Sequence, residues 1–110
     1  MEIMDYKKDD ILILGVRGNL DEITSETFQE KLNEFIENGE NKIILECSKL
    51  DYVSSGGIRV FYLVANLLED KNGKLVFSSL NPNIKKLFDI VEMEDDFEIF
   101  SELDEAIKKI

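Results

Sequence analysis

Short runs of strand-forming apolar residues alternate with longer segments of helical periodicity along almost the whole chain. This alternation limits the possible folds more than any other feature. Ile11-Leu12-Ile13-Leu14-Gly15-Val16, Lys42-Ile43-Ile44-Leu45-Glu46-Cys47, Lys74-Leu75-Val76-Phe77-Ser78 and Phe97-Glu98-Ile99-Phe100 read as strands. Glu2 to Tyr6 alternates ahead of the first, across Lys7-Lys8-Asp9-Asp10, which reads as the turn of an N-terminal hairpin. Between the strands, Phe28, Leu32, Phe35 and Ile36 make one apolar stripe over Thr24–Glu37. Ile84, Leu87, Phe88 and Val91 make another after Asn81-Pro82, and Leu103, Ala106, Ile107 and Ile110 a third after Ser101. A further helix spans about Ser55 to Asp70. The order is β-β-α-β-α-β-α-β-α. It implies a single α/β domain over residues 1–110, with a mostly parallel mixed sheet and a hairpin strand at one edge.

Local signals place the helix ends. Thr24 is read as the N-cap of the first helix, with Ile23 and Phe28 as a hydrophobic staple and Gly39 as its stop. Asn72-Gly73 ends the second helix, and Asn81 caps the third with Pro82 at its first position. Ser101, with Asp104 three residues on, is read as the cap of the last.

Composition removes most chemistry. The 110 residues contain no histidine and one cysteine, Cys47, so neither a Ser-His-Asp or Cys-His arrangement nor a zinc site can be assembled. No cofactor motif is present, and no catalytic or metal-ligating group is assigned; the chain is expected not to be an enzyme. A net charge of −11 repels phosphate backbones and anionic lipid. No nucleic acid and no direct membrane binding are therefore expected. The charge serves solubility, and it also favours protein partners with a basic surface. No apolar run approaches the roughly 20 residues of a membrane span, and no basic-then-apolar leader is visible. With the lone cysteine, these features suit a cytoplasmic location.

The stretch Leu50-Asp51-Tyr52-Val53-Ser54-Ser55-Gly56-Gly57-Ile58-Arg59-Val60 puts two hydroxyls and two glycines between a strand-like and a helix-like segment. Two readings are open. Either serine can be a helix N-cap with glycines relieving a tight turn, or the small residues can keep a hydroxyl accessible to another molecule. On the helix that follows, Val60, Phe61, Val64, Leu67 and Leu68 form an inward face. Arg59, Tyr62, Leu63 and Asn66 gather on the other side with Asp70. Aromatic residues and arginine are enriched at protein interfaces, so this second face is a candidate docking surface unless a neighbouring element covers it.

The sequence resembles the stand-alone STAS domains, the anti-sigma-factor antagonists of bacterial partner-switching systems. Gly18-Asn19-Leu20-Asp21 is similar to the family's G-x-[LI]-D turn, and Leu50 to Gly57 to its L-x-[FY]-hydrophobic-D-S-[ST/A]-G segment. Asn72-Gly73-Lys74-Leu75 and Asn81-Pro82-Asn83-Ile84-Lys85-Lys86-Leu87-Phe88 match two later stretches in the same order. The resemblance implies partner switching. The unphosphorylated form binds a serine kinase that is also the anti-sigma factor, and so frees sigma. Phosphorylation at Ser55 releases the kinase, and a serine phosphatase resets the cycle. The chain departs from the pattern at Ser54, which stands where the family has an aspartate and is the alternative acceptor. The implied partner surface is Asp21, Ser54, Ser55, Gly56, Gly57, Arg59, Tyr62, Leu63 and Asn66. Free N–H groups at the helix start are expected to accept the phosphate without refolding, and the glycines to leave the serine unscreened. The alternative within the same fold is a STAS scaffold subunit of a signalling or lipid-transport complex, docking constitutively through the second helix. A receiver domain with Asp51 as acceptor lacks the acidic pair after its first parallel strand.

Overall fold

The computed structural model describes residues 1–110. Two strands, β1 (Glu2–Lys8) and β2 (Ile11–Leu20), form the N-terminal hairpin, paired antiparallel from Glu2↔Arg17 to Lys8↔Ile11. Its turn is only Asp9-Asp10, with Asp9 in the left-handed region at φ 55°; Lys7 and Lys8 belong to the strand. The chain continues through α1 (Glu22–Glu37), β3 (Lys42–Glu46), β4 (Leu50–Val53), α2 (Ser55–Asp70), β5 (Lys74–Ser78), α3 (Pro82–Ile90), a 3-10 turn (Met93–Asp95), β6 (Ile99–Phe100) and α4 (Leu103–Lys109). The main sheet runs β1-β2-β3-β5-β6, parallel after the hairpin, and β4 pairs in parallel with the end of β2. The mostly parallel α/β architecture read from the sequence is thus the observed one. Its addition is β4, a four-residue strand with buried ends and an exposed middle, too short to show a period of its own.

The period of two along each strand divides the core. Leu12, Leu14, Val16, Ile43, Leu45, Leu75 and Phe77 face α1, α2 and α3, with Phe28, Leu32, Phe61, Val64, Leu68 and Phe88. Ile11, Ile13, Ile44, Val76 and Phe100 face α4 through Ala106, Leu103, Ile107 and Ile110. Phe61 sits at the centre of the larger cluster. Its ring is edge-on to Phe28, Phe77 and Phe88 at centroid distances of 6.0, 5.0 and 6.2 Å, the geometry that opposes the negative face of one ring to the positive edge of another.

Three helix readings are corrected. Asp21, not Thr24, caps α1: its Oδ1 accepts from the Ile23 and Thr24 amides at 3.0 and 2.8 Å, and Thr24 Oγ1 accepts from the Asp21 amide at 2.9 Å. A carboxylate one turn earlier satisfies two orphan donors where a threonine at 24 would satisfy one. Ile23 is then left 79% exposed, and no staple forms with Phe28. The N-cap of α4 is Glu102, without a side-chain cap bond, so Ser101 does not cap it. Leu67 is exposed instead of inward, because Val64 and Leu68 already fill the narrower stripe that faces the sheet. Gly39, at φ 101°, follows the α1 C-cap as expected, and Asn81 caps α3 through Ile84 N at 3.0 Å. The Asn81 amide also donates to the Leu50 carbonyl, tying the start of α3 to β4.

Truncating Phe61 removes the ring on which Phe28, Phe77 and Phe88 converge. Phe61→Ala should cost about 3–5 kcal/mol of unfolding free energy in urea titrations, well above the effect of an exposed apolar change such as Leu67→Ala.

Candidate functional site: two adjoining strand-to-helix turns

Parallel pairing of Leu20 with Val53 brings the β2–α1 and β4–α2 turns side by side, and the Ser54 amide donates to the Leu20 carbonyl at 2.7 Å. Two helix N-termini, each with amides that lack an intrahelical partner and with the positive end of its dipole, therefore open side by side at the ends of β2 and β4. Asp21 caps the first. Ser54 caps the second, its Oγ accepting from Gly57 N at 3.2 Å.

The two serines are not equivalent. Ser54 is 7% exposed and its hydroxyl is committed to the cap, whereas Ser55, the first residue of α2, is exposed. The glycines also differ. A Cβ on Gly57 would lie 2.8 Å from Val53 Cγ1 and 3.2 Å from Leu20 Cβ, so this buried position is glycine because α2 starts in contact with both strand ends. That role is packing, not unscreening of a hydroxyl. Gly56 is half-buried and abuts the Glu22 side chain, whose Oε1 accepts a long hydrogen bond from Gly56 N at 3.4 Å. The sequence suggested free amides at the start of α2; two of them are instead engaged, and the Ser55 amide is the one without a partner. The bond from Gly57 goes to Ser54 and that from Gly56 to Glu22.

Along α2, Arg59 and Asn66 are exposed and Leu63 is half-buried. Arg59 enters no ion pair within the chain. Tyr62 is also half-buried, but it is turned toward the 3-10 turn. Its hydroxyl donates to Asp96 Oδ2 at 2.7 Å, and its ring meets Phe97 edge-on at 5.0 Å. The neighbouring element thus covers part of Tyr62 and leaves Arg59, Asn66 and the serine turn as the open part of this surface. Glu22, which sequence reasoning missed, carried no signal as an exposed glutamate in a first helical turn. Its place at Gly56 depends on the Leu20–Val53 pairing.

Little else in the chain is arranged for chemistry. Cys47 is fully buried, which pushes its thiol well above the usual range and leaves it the behaviour of a small apolar side chain. No cluster of three or more acidic, cysteine or histidine side chains could hold a metal ion. A cleft of about 580 Å³ between α3 and β6, lined by Leu80, Phe88, Phe97 and Phe100 among others, shares no residue with the serine turn. No helix is long and apolar enough to cross a membrane.

Two titrations report on this geometry. The Thr24 amide, then its hydroxyl and the Ile23 amide, hold the Asp21 carboxyl below its ordinary 3.8. Its cap is therefore at full strength above that value and is lost as pH falls through the lowered one. Asp21→Ala should lower Tm by roughly 3–6 °C at neutral pH, with the deficit shrinking below about pH 4. Thermal melts at stepped pH check this. For Tyr62, the bond donated to Asp96, with burial and the nearby charges of Asp96 and Asp95, pushes the phenol up to about 12. That contribution is complete below 10 and is lost as pH rises through the raised value. In an ultraviolet phenolate titration one of the three tyrosines should ionise late, and that component should vanish in Tyr62→Phe.

The STAS domain family profile matches residues 2–106. A Bordetella bronchiseptica protein named as an anti-sigma factor antagonist, BtrV, is 33% identical over 90 residues, covering 82% of this chain and 78% of that protein. A Thermotoga maritima crystal structure, also described as an anti-sigma factor antagonist, superposes with a TM-score of 0.92 at 20% identity, over 98% of this chain and 93% of that one. The anti-sigma factor antagonist SpoIIAA in its unphosphorylated form does so with a TM-score of 0.84 at 19% identity, over 98% and 95%. Its phosphorylated form, from Bacillus, gives 0.76 at 19% identity, over 98% of each chain. The structural likenesses are of fold. The profile match and the BtrV similarity establish kinship, and the chain belongs to the STAS domain family.

Proposed function

We propose that this chain is an anti-sigma factor antagonist that works by partner switching. Unphosphorylated, it binds an anti-sigma factor that is also a serine kinase, and sigma is freed. The kinase transfers the γ-phosphoryl group of ATP to Ser55 Oγ, and the serine proton passes to the kinase's own base. The phosphorylated chain then dissociates, and a serine phosphatase hydrolyses the ester to restore the binding form. The process takes place in the cytoplasm without nucleic acid or lipid contact. STAS anti-sigma factor antagonists are non-enzymatic regulatory proteins, and this chain supplies a substrate hydroxyl and a surface, not a catalyst.

The observation that carries the reading is the division of labour between the serines. The Ser54 hydroxyl is buried and spent on Gly57 N, which leaves Ser55 as the hydroxyl a kinase can reach. The departure from the family pattern at 54 is therefore occupied by a cap. The surface around the acceptor comprises Asp21 and Ser54 at the paired turns, Gly56 and Gly57 beneath them, and Arg59, Leu63 and Asn66 along α2, with Tyr62 at its edge. A phosphate adds about −1.5 to −2 charge there at pH 7. Removing such a charge from water without a partner costs on the order of several kcal/mol, against about 8 kcal/mol for a whole micromolar complex.

Ser55→Asp should weaken binding to the anti-sigma factor at least tenfold in calorimetry and leave the melting temperature nearly unchanged, while Ser55→Ala still binds. Arg59→Ala should also weaken binding. Wild-type affinity of Ser55→Asp would overturn the switch in favour of a constitutive docking subunit.

A further inference from the structure

The first turn of α2 holds a carboxylate that comes from another helix. Glu22, the first residue of α1, reaches the Gly56 amide at 3.4 Å, and its carboxyl packs on the bare Cα of Gly56: a Cβ there would lie 2.5 Å from Glu22 Oε2. Gly56 is thus next to the proposed acceptor and in contact with a negative charge. With Gly57 N bonded to Ser54 and the Ser55 amide without a partner, a phosphate on Ser55 has its own amide open to it, and the Gly56 amide is the next donor, where it meets Glu22.

We propose that Glu22 is a positioning residue of the switch. It holds the Gly56 amide in the unmodified chain, and a phosphate on Ser55 displaces it, so that modification of α2 is felt in the first turn of α1. This rests on Ser55 as the acceptor. Two anions cannot share one amide donor without mutual repulsion, and the phosphate carries the greater charge and is tethered to α2 itself. Glu22 is exposed and is an N1 residue, so it swings into water without disturbing the cap beside it, where Asp21 keeps the Ile23 and Thr24 amides. The other charged groups beside the acceptor are Asp21, the cap of α1 at the adjoining turn, and Arg59 one turn along α2. Asp21 is occupied by its own helix, and Arg59 favours the dianion. Glu22 is accordingly the group that opposes phosphate ionisation at the shared amide. The consequence for recognition is that a partner reading Asp21 and the start of α1 senses phosphorylation as a relocated carboxylate as well as an added phosphate.

Phosphoserine installed at position 55 of the full chain by codon-directed incorporation tests this without any kinase. In a 31P titration the second ionisation of phosphoserine, ordinarily near 6, should have a midpoint about half a pH unit lower in Glu22→Gln than in the otherwise native chain. Half a pH unit is about a threefold change in the ionisation constant, the penalty the dianion bears for displacing Glu22 from the amide. Gly56→Ala, which crowds Glu22 off the turn, should lower it similarly. The Glu22 carboxyl carbon signal should also move between the unmodified and phosphorylated chains. A glutamate acting only as a neighbouring charge, with no hold on the Gly56 amide, would leave the midpoint unmoved by Gly56→Ala. Equal midpoints in the native chain and Glu22→Gln, or a Glu22 signal indifferent to the phosphate, overturn the proposal. Because the phosphate is placed synthetically, this outcome is independent of whether Ser55 is phosphorylated in cells.

Discussion

The pairing of Leu20 with Val53 is the contact on which the rest of the site depends. β4 is only four residues long, and it is held to the end of β2 by that register and by the Ser54 amide on the Leu20 carbonyl. Gly57 then lets α2 begin in contact with both strand ends. A methyl group there would meet the strand ends at distances packed interiors do not tolerate, and overpacking of that kind costs about 1–3 kcal/mol. From this one close approach follow the shared edge of two helix N-termini, the buried cap at Ser54, the exposure of Ser55 and the reach of Glu22.

The electrostatics of that edge suit a surface that is read, not one that reacts. Asp21 and Glu22 lie at the turn beside the proposed acceptor in a chain of net charge −11, while Arg59 is the cation of the neighbouring helical turn. In the proposed switch, the partner of such a surface is expected to present positive charge around a seat for Arg59 and the serine. Under the proposed switch a phosphate on Ser55 is expected to act mainly at the interface, while the core beneath it, built on Phe61 and its aromatic neighbours, is fixed by packing that a surface charge does not touch.

The fold was legible because its signals are periodic and local. Strand-forming apolar runs that start at Ile11, Ile43 and Leu75, and apolar stripes such as Phe28-Leu32-Ile36, record which face each element buries. Asn81-Pro82 and Gly39 mark helix ends by side-chain chemistry that acts within a few residues. The readings that failed share a cause. Thr24 and Ser101 are plausible caps by residue type, but the choice among neighbouring candidates is made by where the preceding strand delivers the chain, and Asp21 is delivered first. Leu67 was misassigned because a stripe drawn at 100° per residue is wider than the sheet can cover. At the site, Ser55 and Arg59 were visible in a motif. The spent hydroxyl of Ser54, the occupied amides of Gly56 and Gly57 and the bond from Tyr62 to Asp96 were not, since each joins residues whose proximity is created by tertiary pairing.

The most direct test of partner switching through Ser55 is phosphopeptide mapping of the protein recovered from its own cells, growing and stressed. Phosphate on Ser55 whose occupancy changes between the two states is the predicted result, with none on the buried Ser54. Absence of phosphate from Ser55 in both states would contradict the switch and leave α2 as a constitutive docking face.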